Sequence, residues 1–135
     1  LSYNDPFPKD LCGTCTRCID DCPTNAIVDD YKLDANKCIS YLTIEHRDDL
    51  PNEFKGKLED WIYGCDICQQ VCPWNIKFSQ KTNDENFIIR ESIDNMSNDD
   101  WEELSELSYK DIFRKSAIKR TKYKGIKRNI YANKK

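Results

Sequence analysis

Cys12-Gly-Thr-Cys15-Thr-Arg-Cys18-Ile-Asp-Asp-Cys22-Pro23 is the stretch whose reading decides the fold. Four cysteines follow one another at spacings of x2, x2 and x3, and a proline comes at once after the last. Further on, Cys65-x2-Cys68-x3-Cys72 is followed in the same way by Pro73, and the eighth cysteine, Cys38, stands between the two runs. A 4Fe–4S cluster needs four thiolates around a compact cube. The x2, x2 spacing wraps three of them around one cube on a tight loop, and the fourth, just before proline, points away to a neighbouring cube. Proline cannot continue a ladder and restricts the residue before it, so each run turns away after its last cysteine.

The second run is one cysteine short, and Cys38 repairs it. In a two-cluster bacterial ferredoxin each half carries the same four-cysteine run. Here the first member of the second half is displaced, with 26 residues (39–64) between Cys38 and Cys65. Crossed ligation then assigns Cys12, Cys15, Cys18 and Cys72 to one cluster, and Cys22, Cys38, Cys65 and Cys68 to the other. Three other uses of eight cysteines compete with this one. Four disulfides suit a secreted domain, but no signal peptide is visible and the x2, x2, x3 run is wrong for them. Two zinc ions use paired C-x2-C units, and three cysteines in one x2, x2 run crowd a tetrahedral loop. Unligated, buried cysteines are the third.

The chain has 135 residues, 39% of them hydrophobic, enough for one or two small folded units. It holds no apolar run of even ten residues, so no membrane span is expected. Reduced thiolates and clusters fit a cytoplasmic location. The first residue is Leu1 rather than Met, which reads as a fragment or a processed product. The net charge of −3 hides an asymmetry: residues 1–113 carry 11 Lys and Arg against all 24 Asp and Glu, while residues 114–135 carry 10 Lys and Arg and no acid. Such a reversal suggests two surfaces with different partners. Lys119, Arg120, Lys122, Lys124, Lys127 and Arg128, interleaved with Tyr123 and Tyr131, have the look of a phosphate-binding surface. The competing reading is a solvated tail, or one that neutralises its acidic neighbour.

The expected architecture is α+β. A two-cluster ferredoxin-like domain over residues 1–78 carries a helical insertion at 39–64, a linker follows at 79–96, and a small all-α, helical-repeat-like module covers 97–135. Residues 1–11, with Pro6 and Pro8, read as extended and turn-rich. Ala26-Ile27-Val28 and Tyr31-Lys32-Leu33 flank Asp29-Asp30 as a short hairpin. Asn25 takes a place where a ferredoxin loop often has Gly, and Asn tolerates a left-handed backbone. A helix is expected from near Cys38. A second runs from Pro51 to about Tyr63 with Phe54, Leu58, Trp61 and Ile62 inward, ended by Gly64; the pair would lie over the clusters. Phe87-Ile88-Ile89 is a brief apolar stretch in the linker. Ser97 with Asp100 starts a helix whose Trp101, Leu104 and Leu107 share a face. Ser108 with Asp111 starts the next, with Ile112 and Phe113 apolar, and a third spans about Gly125 to Asn133. No clean repeat is detectable.

Cys12-Gly-Thr-Cys-Thr-Arg-Cys, Cys22-Pro-Thr, Leu33-Asp-Ala, Lys37-Cys-Ile-Ser-Tyr-Leu-Thr-Ile-Glu-His and Gly64-Cys-Asp-Ile-Cys-Gln-Gln-Val-Cys-Pro-Trp-Asn together resemble the epoxyqueuosine reductase family. Phe113-Arg-Lys-Ser-Ala-Ile-Lys-Arg and Gly125-Ile-Lys-Arg-Asn resemble its tRNA-facing C-terminal region. The match is strong over about residues 7–78 and weaker over 108–131. The cysteine frame is generic to ferredoxins, whereas the displaced Cys38 in its Cys-Ile-Ser-Tyr-Leu-Thr-Ile-Glu context, with Cys-Pro-Trp-Asn, is specific. The resemblance implies an oxidoreductase that reduces epoxyqueuosine in tRNA to queuosine with a cobalamin and two 4Fe–4S clusters. It implies contacts of Ser40, Cys65 and Asp66 near the cobalamin, and the basic tail on the tRNA anticodon arm. In the family the cobalamin domain lies N-terminal to the ferredoxin-like part, outside these residues, so no turnover is expected of this stretch alone. An external low-potential electron donor, a monomeric state and no membrane partner are expected.

Ser40 reads equally well as a helix-surface hydroxyl, and Asp66 as a helix cap. His46, the lone histidine, has no partner in the sequence and reads as a surface or packing residue. Trp74, just after Cys72-Pro73, reads as a shield of a cluster from water. Two other functions compete: a free-standing ferredoxin-like electron carrier, which needs neither the insertion nor the basic tail, and another corrinoid enzyme such as a reductive dehalogenase, which has no need of a polybasic C-terminus.

Overall fold

The computed structural model describes residues 11–133. The expected extended segment therefore lies, but for Leu11, outside the described residues, as do Lys134 and Lys135. After the first cysteine loop comes α1 (Arg17–Asp20), then an antiparallel hairpin of β1 (Ile27–Asp29) and β2 (Lys32–Leu33), as expected. Asn25 enters the hairpin at φ 50° and Tyr31 turns it at φ 59°, so Asn25 does take the left-handed backbone. Ile27 faces Leu33 and Asp29 faces Lys32 across the pair, with one irregularity between, and the Lys32 ammonium sits 2.6 Å from the Asp29 carboxylate.

Asp34 caps a 3-10 turn at Ala35–Lys37 through the Asn36 N–H. Cys38 then stands as N-cap of α2 (Ile39–Ile44), where the sequence places a helix start. The second helix of the insertion does not form. Only a 3-10 turn, Asn52–Phe54, appears. Gly56, Glu59 and Asp60 all have positive φ (74°, 48° and 63°), a conformation no right-handed helix contains. Burial of the apolar residues holds this irregular chain: Phe54 and Leu58 join Ile39, Leu42 and Leu50 in one core, with Trp61 and Cys65 packed against it. The inward residues are as expected, whereas the helical pair over the clusters is one short helix and a folded loop.

Past Gly64, at φ 78°, come α3 (Ile67–Gln70) and α4 (Pro73–Phe78), the latter with Pro73 in its first turn. A 3-10 turn at Glu85–Phe87 leads to α5 (Glu91–Asp94), and Phe87, Ile88 and Ile89 are exposed. α6 (Asn98–Glu102) opens with the expected capping box between Ser97 and Asp100. α7 (Glu106–Ile112) starts three residues early because Ser105, not Ser108, accepts the cap bond, from the Ser108 N–H. The shift turns Leu107 out to 73% exposure, while Leu104 is buried. After a 3-10 stretch, Ala117–Thr121, α8 runs Lys122–Ala132 and so contains Gly125 rather than starting there. A Cβ on Gly125 would stand 2.9 Å from the Thr121 Cγ2, so glycine admits the close approach of the preceding turn. Leu104, Tyr109, Phe113, Ile126 and Ile130 form a second core, on which Ile62 and Tyr63 of the insertion also pack. Among the described residues no helix is long and apolar enough to cross a membrane.

Candidate metal centre and basic face

The two cysteine runs fold into copies of one motif. Thr16 and Asp66 are N-caps with φ, ψ of −111°, 6° and −116°, 13°. The Thr16 carbonyl accepts from the N–H groups of Ile19 and Asp20, and the Asp66 carbonyl from those of Gln69 and Gln70. Cys22 N–H donates to Ile19 O and Cys72 N–H to Gln69 O. α1 and α3 pack on each other, which brings the two runs face to face. After the motif the copies diverge: Pro23 leads to the hairpin and Pro73 starts α4.

Seven of the eight thiols, those of Cys12, Cys15, Cys18, Cys22, Cys38, Cys65 and Cys68, line one cavity of about 370 Å³. Ile19, Ala26, Ile39 and Ile67 supply apolar wall between them. None of the eight cysteines is in a disulfide, so the disulfide reading has no pairing here. A zinc ion draws four ligands to about 2.2 Å of a single point; among the described residues no three of Cys, His, Asp or Glu gather in that way. Thiols spread around a shared apolar cavity fit a bulky polynuclear group better than a single ion.

Cys65 lies close enough to Cys68, Cys38 and Cys22 to feel their charges, and Cys18 to Cys68 and Cys12. Burial, with those charges, raises the Cys65 thiol above its ordinary value. Cys18 is raised as well, chiefly by burial and then by Cys68 and Cys12. At Cys22 burial also acts upward, but backbone N–H groups led by Ala26 outweigh it and the thiol lies below its ordinary value; the Ala26 N–H stands 3.2 Å from its Sγ. Cys72 is outside the cavity wall, yet Trp74 ties its neighbourhood to the first run. The indole Nε1–H donates to the Leu11 carbonyl at 2.8 Å, joining the residue before Cys12 to the turn after Cys72. The Trp74 ring stacks on Phe78 and remains 42% exposed, so its evident work is that hydrogen bond.

Ser40 lies half-buried in the first turn of α2, two residues after Cys38. Asp66 occupies the N-cap position of α3, but its exposed carboxylate makes no cap hydrogen bond. His46 places its Nε2 3.2 Å from the Asp49 carbonyl and its ring 6.4 Å from Tyr41, a packing role as expected.

The basic residues divide into two sets. Lys119, Lys122 and Lys124 are exposed. Arg120 is also exposed, but its guanidinium forks onto the Glu45 carboxylate. Lys127 donates to the Glu102 carbonyl. Arg128 is half-buried and donates to the carbonyls of Leu42, His46 and Asp48 at 2.7–2.8 Å. Tyr123, half-exposed, packs its ring on Tyr109 and gives its hydroxyl to the Leu104 carbonyl.

Two residues that the sequence reading passed over stand at the centre of the tail's contact with the insertion. Thr121 Oγ1 donates to Thr43 O at 2.7 Å. Asn129, 0% exposed, donates to Thr43 O and Ile62 O, each at 2.8 Å. The signal was there: Asn129 shares the i, i+3, i+4 face of α8 with Ile126 and Ile130, and a polar residue on an apolar stripe must have partners.

A family of 4Fe-4S double cluster binding domains matches residues 11–75. The epoxyqueuosine reductase of Cyclobacterium marinum is 50% identical over 97% of this chain and 41% of its own length. That of Cellulophaga algicola is 52% identical over 96% of this chain and 42% of its own. The chain thus spans about two fifths of the curated relatives it matches. Among solved structures, a selenomethionine-labelled epoxyqueuosine reductase superposes with a TM-score of 0.86 at 34% identity, over 97% of this chain and 34% of that one. An epoxyqueuosine reductase with an epoxyqueuosine-modified tRNA-Tyr stem loop gives 0.78 at 31% identity, over the same shares.

Proposed function

We propose, because the chain belongs to the epoxyqueuosine reductase family, that it is the part of such an oxidoreductase that holds two 4Fe–4S clusters and offers a face to tRNA. The arrangement of the thiols carries this reading: both runs and Cys38 open onto one cavity with an apolar wall. Cys12, Cys15, Cys18 and Cys72 would hold one cluster, and Cys22, Cys38, Cys65 and Cys68 the other. Bound there, the clusters supply single electrons at low potential to a cobalamin, for the reduction of the epoxide of epoxyqueuosine to queuosine in tRNA.

The chain's own residues do the rest. Ile19, Ala26, Ile39 and Ile67 give the thiol cavity its apolar wall, and the Ala26 N–H steadies charge on the Cys22 sulfur. Ser40, Cys65 and the uncommitted carboxylate of Asp66 are the residues we assign to the cobalamin side. The C-terminal helices, taken as a repeat-like module, present Lys119, Lys122 and Lys124 to phosphates of the anticodon arm. Arg120, Tyr123, Lys127 and Arg128, assigned to tRNA on sequence, instead have intramolecular work that keeps this face in place. The electron donor is external and the working place is the cytoplasm.

Anaerobic reconstitution tests the reading. Iron and sulfide should each reach about eight per chain, with low-temperature EPR showing two clusters after reduction. Cys22→Ser and Cys38→Ser should impair the same cluster, although these residues belong to different runs. Zinc in place of iron, or a Cys22→Ser defect in the cluster of Cys12, would overturn it.

A further inference from the structure

The two copies of the cysteine motif are 50 positions apart: Cys15, Cys18 and Cys22 correspond to Cys65, Cys68 and Cys72. The counterpart of Cys12 is therefore position 62, where the chain has Ile62. In the first copy Cys12 is tied to its run by the short chain itself and by the Cys15 N–H on its carbonyl at 3.0 Å. In the second copy Cys38 has no such tether. Something else must hold the start of α2 against the start of the second run.

The contacts at that seam are few and specific. Asn129 donates from one Nδ2 to Thr43 O, on the helix that follows Cys38, and to Ile62 O, at the place the missing cysteine would occupy. Thr43 Oγ1 accepts from the Gly64 N–H at 3.0 Å, one residue before Cys65, and donates to Ile39 O at 2.7 Å, one residue after Cys38. Cys38 and Cys65 are thus each one residue from a bond to the Thr43 hydroxyl, and Asn129 braces the same pair of segments from behind. Asn129 and Thr43 are both 0% exposed. On the reading of two clusters given above, we propose that Asn129 is a positioning residue for the second cluster, acting through Thr43. It stands in for the covalent continuity that the displaced Cys38 has lost. The tail would then serve the cluster domain directly as well as the tRNA.

The test compares three variants of the chain, reconstituted anaerobically with iron and sulfide: Asn129→Ala, Thr43→Val and Ile126→Ala. Ile126 is a buried neighbour on α8 that shares a core with Ile62 but makes none of the seam's hydrogen bonds, and so serves as a control for loss of apolar packing alone. Native protein should bind about eight irons, and Asn129→Ala about four, with the EPR signal of only one cluster retained. Thr43→Val, which keeps the side-chain volume and removes the hydroxyl, should show the same selective loss. Ile126→Ala should keep the native iron content and line shape despite a comparable fall in melting temperature. Should Asn129→Ala not fold, Thr43→Val decides alone. Native iron and spectra in the seam variants, or equal iron loss in Ile126→Ala, would overturn the proposal. Failure of the native chain to take up iron would instead overturn the cluster reading on which it rests.

Discussion

Arg128 and Lys124 carry the same formal charge four residues apart, and the fold uses them for opposite ends. Arg128 bonds three backbone carbonyls, that of Leu42 in α2 and those of His46 and Asp48 just past it, whereas Lys124 faces water. Arg128→Ala should therefore lower stability by about 2–3 kcal/mol in urea unfolding, since hydrogen bonds to a charged donor are lost and the carbonyls are left behind. Lys124→Ala should change it by less than about 0.5 kcal/mol. Reversal of charge at Lys119, Lys122 and Lys124 together should weaken tRNA binding at least about tenfold while cluster absorbance is unchanged. Glu45 gives a test by titration. The Arg120 hydrogen bond, against a smaller upward pull from burial, holds its carboxyl below the ordinary carboxylate range. The pair is therefore intact at neutral pH and is lost only as pH falls through that lowered value. In Arg120→Gln the Glu45 carboxyl, followed by NMR, should titrate at higher pH. The cysteines were legible in the sequence because their spacing is covalent. The division of labour among the basic residues was not, because composition records charge and not whether a carbonyl of the same chain has already engaged it.

The elements were read best where local chemistry alone forms them. The hairpin, the helix start at Cys38 and the Ser97–Asp100 capping box depend on a few neighbouring residues, and all three are present. The segment 51–63 was misread because its apolar residues satisfy a helical period while its backbone does not: Gly56, Glu59 and Asp60 turn left-handed. Burial, not hydrogen bonding along a helix, gives this segment its shape. Leu58→Ala, at a site 0% exposed, should cost about 2–5 kcal/mol by the cavity it leaves, measured by thermal or urea unfolding. α8 offers a sharper case. Alanine is favoured over glycine within a helix by about 1 kcal/mol, yet Gly125→Ala should destabilise this protein. The added methyl meets Thr121 Cγ2 and drives the Thr121 hydroxyl from Thr43 O. Pairing Gly125→Ala with Thr121→Ser, which removes that methyl and keeps the hydroxyl, should recover the loss in the same unfolding assay.

For the whole molecule, the separation of charge was plain in the sequence, and its structural cost was not. All the acids lie before residue 114 and ten bases from Arg114 onward, yet the tail folds back onto the acidic part and shares a core with it through Ile62 and Tyr63. What remains outward is a modest basic face. With three exposed lysines on phosphates, the slope of log K against log salt should be about −2 to −3; a slope near zero in a titration of tRNA binding would show that the face is merely solvated. The crossed frame of cysteines also bears on how such a chain is made. On the crossed assignment proposed above, Cys12, Cys15, Cys18 and Cys22 emerge together from the ribosome, but the first cage would lack its last thiolate until residue 72 has appeared, and the second until residue 68. A nascent chain stopped near residue 60 could finish neither. Metal loading would therefore wait until both runs have been made, with the second cage complete four residues before the first. The Trp74 indole can reach the Leu11 carbonyl only then, since it stands two residues beyond the last sulfur of the frame.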